Sequence, residues 1–106
     1  VLVPGDMGRA SYILAGGAGA HETFLSACHG AGRLLSRSMA KRRAKGRSIL
    51  DELERRDIHA MAASRATLAE EMPEAYKDVS AVVDTMTGAG VTRTVARLRP
   101  VAMIKG

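Results

Sequence analysis

Apolar positions set the first reading of this chain. Val79, Val82, Val83 and Met86 recur at i, i+3, i+4 and i+7, which predicts an amphipathic helix ended by Gly88-Ala89-Gly90. Val1 to Val3 reads as a short buried strand, and Ser11 to Ala15 as another, with Tyr12, Ile13 and Leu14 supplying β propensity. Between them Pro4-Gly5-Asp6-Met7-Gly8 predicts a turn, because Pro presets φ and Gly tolerates positive φ. Val91 to Arg99 alternates, with Arg93, Val95, Arg97 and Arg99 on one face and Thr94, Ala96 and Leu98 on the other. Ile58 to Ala63 is a strand candidate, and Val101 to Ile104 is a last apolar run. Gly16 to Ala20 reads as a flexible connector, and Thr23 to Cys28 is too short to choose between strand and helix start. His29-Gly30-Ala31-Gly32 predicts a tight turn opening a basic helix over about Arg33 to Ala44. A second helix is expected over Ser48 to Arg56, capped by Ser48 and supported by the pairs Asp51–Arg55 and Glu52–Arg56. Glu70 to Asp78, broken by Pro73, reads as a loop or short turn. The expected class is α+β: a mixed sheet with two to four helices in one domain, residues 1–106, without a regular β-α-β repeat.

Composition narrows the class. Hydrophobic residues at 46% and charged residues at 25% argue against wholesale disorder. Aromatics at 3% leave a core of Ala, Val, Leu, Ile and Met. The single Cys28 excludes an intrachain disulfide framework and fits a reducing, cytoplasmic setting. No apolar run is long enough to span a bilayer, and no basic-then-apolar leader is visible, so no membrane partner is expected. The chain opens at Val1 inside an apolar run. That start reads as a piece of something longer, a processed or trimmed start being the alternative.

The net charge of +5 is uneven: residues 1–50 hold eight Lys or Arg against two acids, whereas residues 51–106 hold eight against nine. The excess centres on Arg33, Arg37, Lys41, Arg42, Arg43, Lys45 and Arg47. Such a cluster either forms a solvated helix face or attracts phosphate-bearing partners. The scarcity of aromatics disfavours a single-strand stacking platform and leaves backbone-phosphate contact.

His29 is the sharpest chemical feature. It directly precedes Gly30-Ala31-Gly32-Arg33, where glycines admit a phosphate and successive amides entering a helix form an anion cradle. A neutral imidazole is a competent nucleophile toward phosphorus. A His before a glycine turn is more often a capped or hydrogen-bonded structural residue. Cys28 reads as a buried small hydrophobe, and Glu70, Glu71 and Glu74 as a solvated acidic loop. His21 and His59 lack metal-ligand spacing, so no complete metal site is expected from this chain. Lys105 is either frayed with the end of the chain or delivered inward by its apolar strand.

Together Pro4-Gly5-Asp6-Met7-Gly8, Ala10-Ser11-Tyr12, His29-Gly30-Ala31-Gly32-Arg33 with Ser36-Arg37, Glu74 to Val79, Leu98-Arg99-Pro100 and Lys105-Gly106 resemble the C-terminal segment of RtcB-type, GTP-dependent RNA-splicing ligases. The stretches run in the family's order and span the chain. The resemblance implies an enzyme that joins RNA 2′,3′-cyclic phosphate or 3′-phosphate ends to 5′-hydroxyl ends, in tRNA splicing or RNA repair, using GTP and manganese. It implies that His29 is the nucleophile carrying GMP. Gly30, Ala31 and Gly32 would line the nucleotide, and Pro4, Gly5, Asp6 and Met7 with Ser11 would hold it. Tyr76 would stack on the base and Lys105 would hydrogen-bond to it. Arg33, Arg37, Arg42, Arg43, Arg97 and Arg99 are weaker candidates for RNA phosphates. Asp6 stands where many members have Ser, and an ionised carboxylate accepts but cannot donate. Arg9 replaces a small residue, to add a phosphate contact or to crowd the turn. The manganese ligands of the family lie in an N-terminal portion outside this sequence, so the chain alone is expected to be inactive. That portion, and an activating protein, are the implied protein partners. The alternative is a non-catalytic basic module, derived from such a ligase, that docks RNA or a partner; a structural truncation with no role of its own is a third reading.

Overall fold

The computed structural model describes residues 1–106. It is α+β, with four α-helices, two 3-10 turns and five strands in two small sheets. Strands β1 (Leu2–Val3), β2 (Ser11–Gly16) and β4 (Thr92–Leu98) form an antiparallel sheet in the order β1-β2-β4. Strands β3 (His59–Ala62) and β5 (Ala102–Lys105) pair in parallel, with Ala62 opposite Lys105. The parallel and antiparallel pairings expected of a mixed sheet are thus divided between two sheets.

The helices start where a side chain satisfies their free amides. Ser36 accepts from Met39 N–H and opens α1 (Arg37–Arg43); Ser48 accepts from Asp51 N–H and opens α2 (Ile49–Glu54). Ser64 caps α3 (Arg65–Glu70), and Asp78 caps α4 (Val79–Gly88). At the end of α4, Gly90 N–H bonds Thr87 O and Val91 N–H bonds Met86 O, the paired closure that glycine after a helix permits.

Several local expectations change. The basic helix begins at Arg37 rather than Arg33, because Gly32 takes φ +75° and Arg33 is extended against Tyr76. Helix α3 was not foreseen. The connector at Gly16 to Ala20 runs into a 3-10 turn over Ala18–Thr23, and Thr23 to Cys28 is neither strand nor helix, with Phe24 and Leu25 at positive φ. The expected pairs Asp51–Arg55 and Glu52–Arg56 do not form: Arg56 donates to the Gly8 carbonyl, and Glu52 takes Nε and Nη2 of Arg47 at 2.9 and 2.7 Å. In β4 the register shifts beside Ile13 and Leu14, which face Ala96 and Thr94 and leave Val95 as a bulge. Arg93 and Arg97 therefore lie on opposite faces, not one.

Two apolar clusters fill the interior. One gathers Met7, Leu35, Ile49, Leu53, Ile58, Leu68 and Met72 beneath the first three helices. The other gathers Val3, Ala10, Tyr12, Leu14, Ala31, Val79, Val83 and Met86 between the antiparallel sheet and α4. The Pro4–Gly8 turn stitches them, since its Met7 enters the first and the flanking Val3 and Ala10 enter the second. Gly5 must lack a side chain, because a Cβ there would strike the Ala10 carbonyl. No helix is long and apolar enough to cross a membrane.

Leu53 is 1% exposed. Leu53→Ala is expected to destabilise the fold by about 2–5 kcal/mol in urea unfolding, whereas Phe24→Ser, at a 93% exposed position, changes it by less than about 0.5 kcal/mol.

Candidate functional site

A cleft of about 560 Å³ opens on the seam between the two clusters. Four segments line it. The Pro4–Gly8 turn contributes Pro4, Gly5, Asp6 and Met7, with Ser11 from the start of β2. The glycine turn contributes His29, Gly30, Ala31 and Gly32; the stretch after α3 contributes Glu71 and Tyr76; and β5 contributes Ala102, Met103 and Lys105, with Pro100 just before it. All the residues that the resemblance assigns to the nucleotide therefore meet in one cavity, although they lie up to a hundred positions apart.

Backbone bonds place the glycine turn. Lys77 N–H donates to Gly32 O at 2.9 Å, and Leu34 N–H donates to Ala75 O at 2.8 Å. His29 is exposed on the cleft rim, and neighbouring Cys28 is also exposed, contrary to its expected burial. The anion cradle differs from expectation too: α1 starts five residues after Gly32, so Gly30 to Gly32 line the cleft from a turn and not from a helix end.

The first turn is held by its own acid. Asp6 Oδ1 accepts from Gly8 and Arg9 N–H, both at 2.9 Å, and its other oxygen lies 2.7 Å from Arg9 Nε. The carboxylate is only 1% exposed. Oδ1 thus organises the turn, while Oδ2 has the Arg9 charge beside it but no hydrogen-bond donor. Arg9 neither crowds the turn nor reaches outward for phosphate: its Nη2 donates to Pro73 O at 2.6 Å and to Tyr76 O at 3.2 Å, tying the turn to the Tyr76 segment. Ser11 Oγ accepts from Gly5 N–H at 3.1 Å.

Glu71 is the functional side chain the sequence reading missed. It is not a solvated loop acid. One oxygen accepts the Tyr76 hydroxyl and faces Lys105 Nζ at 3.5 Å; the other lies 3.1 Å from Arg33 Nη1. Lys105 is accordingly directed inward by β5 rather than frayed. Arg33, a weaker candidate for RNA phosphate, has its donors engaged within the chain. It donates to Leu35 O and Glu70 O, and its guanidinium sits 4.9 Å from the centre of the Tyr76 ring, covering one face. Arg37 and Lys41 pair with Glu70, while Arg42, Arg43, Arg97 and Arg99 stand exposed outside the cleft lining.

The charges bear this out. Burial is the largest influence on Glu71 and opposes its ionisation, but the Tyr76 hydroxyl with the charges of Lys105 and Arg33 outweighs it and holds the carboxyl below 4.5. Burial, then the bond to Glu71, raises the Tyr76 phenol above 10.0. Behind the cleft, Arg47 binds Glu52 and Glu74, and the Glu52 carboxyl is lowered chiefly by its bond to Arg47.

The family model "tRNA-splicing ligase RtcB" matches residues 1–106. Curated proteins of that name resemble the whole chain: that of Pyrococcus furiosus is 55% identical over 107 residues, that of Thermococcus kodakarensis 52% over 107, and that of Aeropyrum pernix 49% over 106. The chain covers 11% of the first of these and 22% of the other two.

Because folded Glu71 releases its proton more readily than the unfolded chain does, its charge stabilises the fold above pH 4.5, and that contribution is lost as pH falls through the lowered folded value. Thermal unfolding followed from pH 6 down to about pH 3 should lose stability less steeply in Glu71→Gln than in the parent chain. Parallel curves would show that the Glu71 charge is not coupled to folding.

Proposed function

The chain belongs to the tRNA-splicing ligase RtcB family, and we propose that it forms the guanylate-carrying segment of an RNA ligase. In this reading the His29 imidazole attacks the α-phosphorus of GTP. Pyrophosphate leaves, and GMP stays on the ring as a phosphoramidate. The guanylyl group then passes to an RNA 3′-phosphate, derived where needed from a 2′,3′-cyclic phosphate, and frees the imidazole. Attack by a 5′-hydroxyl displaces GMP and seals the strand. The role would be tRNA splicing or RNA repair.

One observation carries the proposal: an exposed imidazole stands on a glycine turn at the rim of a nucleotide-sized cleft. Its 560 Å³ lies within the roughly 300–1,000 Å³ common for small-molecule sites. The lining chemistry fits a guanine nucleotide. The Gly30 to Gly32 backbone and the Lys105 ammonium supply donors for phosphate and base oxygens, and the Tyr76 ring in the cleft lining supplies an aromatic surface. Manganese is different. No three His, Cys, Asp or Glu side chains of this chain gather to hold an ion, so no step here is derived through the metal. In the proposal its ligands come from the remainder of the ligase, and an activating protein would act on that whole. Loaded there, manganese would align and neutralise the GTP phosphates.

This division of labour predicts two outcomes in one experiment. The 106-residue chain given labelled GTP and manganese should acquire no covalent label. A ligase-length polypeptide, made by setting this segment into the matching stretch of the Thermococcus kodakarensis relative, should acquire it and lose it on His29→Ala. Labelling that survives His29→Ala would overturn the proposal.

A further inference from the structure

The reading above names Tyr76 and Lys105 as the groups that meet the base, and both converge on a third side chain. We infer that Glu71 is the positioning residue for the base end of the cleft, setting the tilt of the Tyr76 ring and the reach of Lys105 through one carboxylate. This inference rests on the guanylate reading.

The geometry is specific. Glu71 is 16% exposed, and its two oxygens serve three groups from three parts of the chain. The Tyr76 hydroxyl donates to Oε2, and Arg33 donates to that hydroxyl at 3.1 Å while covering one ring face. A phenol bonded at its tip and covered on one side has little freedom to rotate, so the edge or face it gives the cleft is fixed beforehand. Lys105 lies near the end of the chain, with its side chain 40% exposed. Without an opposing charge a lysine there would sample solvent through its flexible stem. The 3.5 Å approach to Glu71 holds it over the cleft, and an ammonium has three donors, so two remain for a ligand. Glu71 itself does no chemistry in this scheme. It fixes beforehand the order that a bound base would otherwise have to impose.

Glu71→Gln separates the two functions: the amide keeps an acceptor for Tyr76 but loses the attraction for Lys105 and Arg33. Glu71→Ala removes both. Titration calorimetry of the ligase-length polypeptide carrying this segment, with GMP and with AMP, provides the test, circular dichroism reporting whether each variant is folded. Glu71→Ala should weaken GMP about tenfold and erode the preference for GMP over AMP, with Glu71→Gln intermediate. If Glu71→Ala fails to fold, the near-isosteric Glu71→Gln decides alone. A folded variant with unchanged GMP affinity and unchanged preference overturns the assignment. So does an equal loss for both nucleotides, the mark of a purely structural role. A ligase-length parent that binds neither nucleotide contradicts the guanylate reading itself and overturns this inference with it.

Discussion

The guanidinium of Arg33 holds the site together. It is the residue immediately after the glycine turn, and its donors reach the carbonyls of Leu35 and Glu70, the Glu71 carboxylate and the Tyr76 hydroxyl. A planar, permanently charged fork can satisfy that many acceptors in fixed directions, which an ammonium cannot. The consequence is positional. The turn bearing His29 cannot move independently of the ring of Tyr76, and through Glu71 neither is independent of Lys105. Three chain segments with no local reason to meet are thereby given one geometry.

The fold supplies the gap that this network borders. Each of the two apolar clusters is small, and the Pro4–Gly8 turn is a bond between them. The turn can do this because Asp6 satisfies its amides and Arg9 anchors it to Pro73 and Tyr76. The cleft is the space left where two modest cores lean together without merging. Several large apolar side chains, among them Val1, Leu2, Val101 and Ile104, remain exposed. Packing from this chain alone therefore does not cover its apolar surface.

Local chemistry was legible in the sequence, and long-range pairing was not. The glycine turn, the Pro4–Gly8 turn, β2 and the valine-spaced α4 each carry their cause within a few residues. Helix α3 was hidden because only Leu68 of its six residues is buried, too few for a periodic signal, although Ser64 was a readable cap. The bulge at Val95 follows from pairing with β2 and leaves no mark in an alternating pattern. Arg33 looked like the start of a basic helix and a phosphate ligand. Apart from the Leu35 carbonyl, its partners lie 37 to 43 positions away. Glu71 looked like one solvated acid among three until Tyr76 and Lys105 were seen to share it.

The most direct measurement is the site of covalent attachment. The ligase-length polypeptide carrying this segment, after reaction with GTP and manganese, can be digested under neutral conditions and its guanylylated peptide fragmented by mass spectrometry. The account predicts the added guanylyl mass on His29 alone, released by mild acid as a phosphoramidate. An acid-stable adduct on a lysine such as Lys77 or Lys105, or attachment at His21 or His59, would contradict it.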